Sequence, residues 1–132
     1  MGQDERNGQQ LPFEGLHVYQ RAQDAWGIAL EAAQGEAPDG MGAVLEGELR
    51  AAALGIARAS ALSRENGSFA SELERARGAL HAGAAVLEQL ERRGTPGDAR
   101  LRPLLVDGSR MLGALVRSLS PRDEVLVGEA VV

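Results

Sequence analysis

The stretch FASELERARGALHAGAAVLEQLER, residues 69–92, decides the fold. Apolar side chains recur in it at the spacing of one helix face, on which successive residues are turned by ~100°. A second apolar row runs beside the first. That row fits either packing between two neighbouring helices or contact with another subunit. The first row is Phe69, Leu73, Ala76, Leu80, Ala84 and Leu87, and the second is Ala79, Ala82, Val86 and Leu90.

The same periodicity predicts three further helices, over about 13–33, 41–62 and 98–119. Asp98 is the predicted N-cap of the last helix, which ends before Pro121. Each segment carries its own apolar row. The predicted core positions are Val18, Ala22, Ala25, Trp26, Ala29 and Ala33; then Met41, Leu45, Leu49, Ala52, Ile56 and Ala59, widened by Val44, Ala51 and Leu62; then Leu101, Leu105, Gly108, Leu112, Val116 and Leu119, widened by Leu104, Met111 and Leu115.

Short connections between long helices favour antiparallel packing of consecutive helices. We therefore predict an all-α fold over residues 12–120, an antiparallel up-down-up-down four-helix bundle. Residues 1–11 are predicted to be a disordered tail because they have almost nothing to bury. Residues 121–132 form a C-terminal tail whose apolar residues fit either a mobile end or docking on a neighbouring subunit.

The composition predicts a core of small side chains. Hydrophobic residues make up 44% of the 132 residues, but aromatic residues make up only 3%. Such helices approach closely and bury little area per residue, so a single bundle gains from burying more surface in a homo-oligomer. The candidate subunit or partner contacts are Ala79, Val86, Leu90, Leu104, Met111 and Leu115.

The charge pattern bears on nucleic-acid binding. The net charge of −5 argues against sequence-independent binding, since such affinity comes mostly from neutralising phosphates. All basic residues are arginines, which indicates either a GC-rich genome or bidentate recognition of phosphate or carboxylate. We expect most of them to be solvated or paired, as Glu46 with Arg50 or Asp107 with Arg110. The alternative is that some arginines form a basic strip that contacts nucleic acid. The candidate residues for that strip are Arg21, Arg50, Arg58, Arg77, Arg110 and Arg117.

The sequence gives little indication of secretion or of a membrane location. The chain has no cysteine for disulfides, and residues 1–10 lack the apolar centre of a signal peptide. No apolar run approaches the ~20 residues of a membrane span. Asn66-Gly67-Ser68 matches a glycosylation sequon, but we interpret it as a turn with Ser68 capping the next helix. A cytoplasmic protein without membrane contact is expected.

No pattern of catalytic residues stands out, so we predict a protein that is not an enzyme and has no cofactor. Only two histidines occur, His17 and His81. Glu14 precedes His17 by three residues, as in di-iron bundles, but Gly78 stands where the second acid would be required. We therefore expect no metal site, although a metal-binding bundle is retained as the least favoured alternative.

Three segments resemble the 23S rRNA intervening-sequence four-helix-bundle proteins. The first is Phe13-Glu14-x-Leu16-x-Val18-Tyr19-Gln20-x-Ala22. The second is Phe69 followed by Ala76-Arg77-Gly78-Ala79-Leu80, where an alanine-arginine-glycine-serine-leucine run is common in the family. The third is Arg110-Met111-Leu112-x-x-Leu115-x-Arg117-Ser118-Leu119. The segments follow the family's order and together span 13–119.

The resemblance implies a four-helix bundle that commonly forms a homopentamer. It also implies kinship with accessory variability determinant proteins of diversity-generating retroelements, which bind a reverse transcriptase and nucleic acid. Those proteins are typically basic, whereas this chain is acidic. The second helix departs from the family, because residues 55–63, GIARASALS, lack its proline, asparagine and glutamate.

These observations predict a non-enzymatic scaffold or accessory protein, a ring-like homo-oligomer that binds an unidentified protein partner. The alternative is a nucleic-acid-binding accessory subunit, associated with a reverse transcriptase or with ribosomal RNA. A ring uses a heterologous contact, so it needs two different adhesive faces on each bundle. The nucleic-acid alternative instead requires arginines that converge on one face despite the acidic net charge.

Overall fold

The chain folds into four helices with no strand among the residues described, and this confirms the all-α bundle. The computed structural model describes residue 13 and residues 16–35, 40–63, 65–94 and 98–119. The helices are α1 (His17–Ala33), α2 (Met41–Ser60), α3 (Gly67–Arg92) and α4 (Leu101–Leu119). Both predicted tails, residues 1–11 and 121–132, lie outside the described residues.

The helices form a closed antiparallel arrangement. Each helix packs against its neighbours in sequence, and α4 returns to pack against α1. Antiparallel order is visible between α2 and α3, where Gly83 faces Leu49 and, further along, Ala76 faces Gly55. Residue numbers therefore rise along one helix while they fall along the other.

Two predicted boundaries at the start and end of helices are corrected. Helix α1 begins at His17 rather than near Phe13, because the backbone of Leu16 is extended (φ −82°, ψ 124°). Phe13 instead stacks edge-on against Tyr19, with ring centroids 4.7 Å apart. Helix α2 ends at Ser60 rather than Leu62.

The turn before α3 is formed by Asn66, and the predicted cap Ser68 is wrong. Asn66 Oδ1 accepts a hydrogen bond from the backbone N–H of Ser68 at 2.9 Å, so Asn66 is the N-cap and the helix begins at Gly67. The interpretation of this tripeptide as a helix-start turn holds, but the capping side chain comes two residues earlier than expected.

Asp98 caps the turn that leads into α4, and it lies two residues before the position that directly precedes the helix at Leu101. Its Oδ1 accepts from the backbone N–H of Arg100 at 2.9 Å, and its carbonyl accepts from the N–H of Leu101 at 3.0 Å. The carboxylate also forms two hydrogen bonds with the Arg100 guanidinium, at 2.9 and 2.6 Å. The side-chain hydrogen bond from Arg100 is the main cause that lowers the pKa of Asp98 to about 2.

The buried core follows the predicted rows with a few shifts. On α3, Gly83 is buried while Ala84 is only partly buried. On α2, Val44 and Ala51 are exposed, and burial extends instead to Ala53. On α1, α2 and α4 the row positions that are only partly buried are Trp26, Ala33, Met41, Leu62, Leu104, Met111, Leu115, Val116 and Leu119, and the second row of α3 is partly buried throughout. The fully buried large side chains are Leu49, Ile56, Leu73, Leu80, Leu87 and Leu112.

Candidate binding groove between α3 and α4

The most distinctive surface feature is a groove between α3 and α4, which we call the arginine groove. It has a volume of about 460 Å³, within the usual range of binding pockets. Apolar side chains contribute to its lining, arginines surround them, and none of its described lining residues is acidic. The lining consists of Arg77, Leu80, His81, Ala84, Leu87, Arg102, Leu105, Val106, Ser109, Arg110, Gly113 and Arg117.

Helix register brings Arg77 and Arg117 together over Gly113. A Cβ placed on Gly113 would lie 3.3 Å from Nη1 of Arg117 and 3.5 Å from both Cζ and Nη2 of Arg77. Two guanidinium groups from different helices therefore approach the same small space. Glycine permits this close packing, because the first side-chain carbon of a larger residue would press against both guanidinium groups.

Arg77 is held in place but incompletely hydrogen-bonded. Its Nη1 pairs with Glu74 at 3.7 Å, and its side chain is 37% exposed. Its Nε atom is buried and has no hydrogen-bond partner. A buried N–H without an acceptor costs roughly 1–3 kcal/mol, so a movement of Arg77 that brings this N–H to an acceptor recovers part of that cost.

The other groove arginines differ in whether acids neutralise them. In the described part of the chain, no ion pair involves Arg110 or Arg117. Arg102 is paired with Glu91, and the hydrogen bond with that carboxylate raises the pKa of Arg102. The end of the groove near Gly113 therefore carries the stronger uncompensated positive charge.

His81 and Ser109 face each other across the groove. Their Nε2 and Oγ atoms are 2.6 Å apart, on α3 and α4 respectively. Sequence reasoning missed this pair because the residues are 28 positions apart and no motif links them. Only the register between the two helices, once known, would have revealed it.

The structure divides the six arginines predicted as nucleic-acid contacts. Arg77, Arg110 and Arg117 meet in the arginine groove. The other three lie outside that lining: Arg21 is half-buried on α1, Arg50 pairs with Glu46 at 3.7 Å, and Arg58 pairs with Glu72 at 3.3 Å.

The predicted pairing of Asp107 with Arg110 is absent among the described ion pairs, and the two residues line different grooves. Asp107 lies in a more open groove of about 920 Å³ between α1 and α4. Asp24 and Glu31 line the same groove from α1. Asp107 and Arg110 therefore face different grooves, and Arg100 lines the groove of Asp107 beside these acids.

The predicted subunit contacts occupy half-buried flanks of the bundle. All six pack against the core of their own chain, and none is among the large exposed apolar residues. Their contact with another subunit stays a prediction. The six are Ala79, Val86, Leu90, Leu104, Met111 and Leu115. The large apolar side chains that are exposed are Leu30, Val44, Leu54 and Val106.

The described residues contain neither a cluster of metal-binding side chains nor a membrane-spanning helix. Within the described residues, no three side chains of the metal-binding types come close enough to hold an ion. His17 is exposed at the first position of α1, and Glu14, which the sequence pairs with it, lies outside those residues. None of the described helices combines the length and apolarity needed to cross a membrane.

Comparisons with family models, with curated proteins and with solved structures return no significant match.

Proposed function

We propose that this chain is a non-enzymatic scaffold or accessory protein, a homo-oligomeric four-helix bundle that binds a protein partner in the arginine groove. The observation that supports this proposal is the lining of that groove. Apolar side chains lie beside arginines, and two of these, Arg110 and Arg117, have no acidic partner in the described chain. Arginine beside apolar surface is the composition typical of residues that dominate protein interfaces.

The chemistry of the groove suits binding more than bond cleavage. His81 and Ser109 resemble a base and a nucleophile, since Nε2 and Oγ are 2.6 Å apart. Catalysis by such a pair requires a third group that orients the histidine and donors that stabilise an oxyanion. In the described chain no carboxylate is recorded on His81, and Ser109 lies within the regular helix α4, whose backbone N–H groups serve the helix.

Homo-oligomer formation is the second part of the proposal. Leu30, Val44 and Leu54 are exposed on α1 and α2, the two helices that do not form the arginine groove. These residues are candidates for one face of a heterologous ring contact, and the predicted contacts on α3 and α4 are candidates for the second face that such a contact requires. The family resemblance favours a homopentamer.

Light scattering at micromolar concentration tests the assembly. We expect a mass well above that of one 13.9 kDa chain, with a pentamer favoured. The triple variant L30Q/V44Q/L54Q should dissociate, whereas V106Q, which changes an equally exposed residue of the groove, should not. A monomeric wild-type chain under these conditions would contradict the homo-oligomer.

A nucleic-acid-binding accessory subunit is the second candidate, because Arg77, Arg110 and Arg117 converge in one groove. Titration with RNA and duplex DNA at low salt tests it. The variant R110Q/R117Q should weaken such binding, and R75Q/R92Q, which changes ion-paired arginines on α3, should not. Binding that does not respond to salt would remove this candidate.

A further inference from the structure

The guanidinium groups of Arg77 and Arg117 converge over Gly113, where one anionic group can contact both. Guanidinium nitrogens of Arg77 and Arg117 lie 3.5 and 3.3 Å from the point where a Cβ would be. Like charges at this spacing repel each other, and an anion between them turns that repulsion into two favourable contacts. A planar guanidinium also matches the two oxygens of a carboxylate.

The apolar part of the same groove restricts what can carry that anion. The apolar surface that the groove offers to a ligand comes from Val106, which is 47% exposed, and from the half-buried Ala84, because Leu80, Leu87 and Leu105 are already buried. A ligand that placed only a charged group over Gly113 would leave this apolar surface in water. A ligand with apolar side chains next to its carboxylate buries both surfaces.

Nucleic acid fits the groove less well than an acidic protein segment. No phenylalanine, tyrosine or tryptophan is among the described lining residues, so bases would stack only on His81 and the arginine planes. The net charge of −5 also repels a polyanion along the rest of its length. A short segment with one or two carboxylates avoids most of this repulsion.

We infer that the arginine groove binds an acidic segment of a protein partner that also carries apolar side chains, with a carboxylate held jointly by the clamp of Arg77 and Arg117 beside Gly113. This inference rests on the proposed function and states the chemistry of its partner. Apolar side chains of that segment cover Val106 and Ala84. Arg110 adds positive charge beside the clamp.

Two blocked peptides in the presence of the full chain test the inference. The first is acetyl-Leu-Leu-Asp-Glu-Leu-Leu-amide, and the second carries asparagine and glutamine in place of the two acids. Binding is followed through the Nε–H resonances of the arginine side chains. We expect the acidic peptide to shift the resonances of Arg77 and Arg117, and the amide peptide to bind at least ~10-fold more weakly, as loss of a charge-assisted hydrogen bond implies.

Matched variants of the chain assign the binding to the clamp. R117Q and R77Q/R117Q should each lower the affinity for the acidic peptide by at least ~10-fold, whereas R75Q/R92Q should leave that affinity unchanged. R117Q alters only an exposed side chain, so it remains informative if the half-buried Arg77 proves necessary for folding. Circular dichroism of each variant verifies that the helices persist.

Several results would overturn the inference. These are absence of peptide binding, equal affinity for the two peptides, or equal losses in R117Q and R75Q/R92Q. Tighter binding of inorganic phosphate or of a dodecameric oligothymidylate would instead assign the clamp to phosphates. Light scattering tests the homo-oligomer independently of peptide binding. The scaffold proposal and the inference about the groove can therefore be confirmed or contradicted separately.

Discussion

Gly83 of α3 lies directly against Leu49 of α2, and both residues are buried. A Cβ placed on Gly83 would be 2.8 Å from Cδ2 of Leu49, and 3.6 Å from Cδ1 of Leu45. The closest approach between these two helices therefore requires the absence of a side chain. Leu49 is fully buried, so it has little room to move away.

We expect G83A to destabilise the bundle by about 1–3 kcal/mol, the usual cost of forcing extra volume into a packed core. The loss should appear even though alanine is the better helix former by ~1 kcal/mol. Urea unfolding followed by circular dichroism measures it. The matched control is G78A on the same helix, where nothing lies within 4 Å. G78A should raise stability by up to ~1 kcal/mol, and equal effects of the two variants would contradict the close contact.

The N-cap of α3 gives a second prediction. Replacing Asn66 with alanine removes the acceptor that holds the Ser68 N–H at 2.9 Å, and should cost about 1 kcal/mol. N66D should retain most of the stability, since aspartate caps equally well. S68A keeps its backbone donor and should change the free energy of unfolding by less than ~0.5 kcal/mol. A larger loss in S68A than in N66A would restore the sequence-based assignment of Ser68.

The carboxylate of Asp98 gives a prediction about pH. Its pKa is lowered to about 2, chiefly by the side-chain hydrogen bond from Arg100. A carboxylate with a depressed folded pKa contributes stability above its unfolded pKa of ~3.9, and this contribution disappears as the pH falls through the folded value. NMR titration of the side-chain carboxyl measures the pKa. In R100Q it should return towards the ordinary value, and an unchanged pKa there would contradict the assigned cause.

A hydrogen bond between α1 and α2 can be tested through the single tryptophan. The indole N–H of Trp26 donates to Oε2 of Glu46 at 2.8 Å in a part-buried setting. E46A should leave that donor without its acceptor and cost about 1–2 kcal/mol. E46Q keeps an acceptor and should lose less. Chemical unfolding and tryptophan fluorescence report both effects, and identical losses in the two variants would argue against the hydrogen bond.

Gly113 allows stability and binding to be separated. In G113A the new Cβ would meet the guanidinium ends of Arg77 and Arg117 at 3.3–3.5 Å, and those flexible ends can move aside. Helix propensity should then keep stability unchanged or raise it by up to ~1 kcal/mol. The acidic peptide should nevertheless bind more weakly, because the methyl group pushes the two guanidinium groups away from the positions in which they share a carboxylate. Undiminished peptide binding in a stable G113A chain would place the carboxylate elsewhere.

Much of the fold could be predicted from the sequence because helix faces are local. The repeat of apolar residues along each helix identified buried positions such as Val18, Leu49, Leu73 and Leu112 before any packing was known. Asp98 was identifiable as a cap because a short polar side chain before an apolar row satisfies the first free N–H groups. These properties depend on residues a few positions apart.

Only the tertiary structure decided which side chains from different helices meet. The sequence treated Arg21, Arg50 and Arg58 like Arg77 and Arg117, but only the last two converge over Gly113. Tertiary packing also decided the 2.6 Å contact between His81 and Ser109 and the burial of Gly83 in preference to Ala84. Periodicity fixes which face of a helix is apolar, whereas the rotation and axial register of two helices depend on how their side chains interlock across the interface.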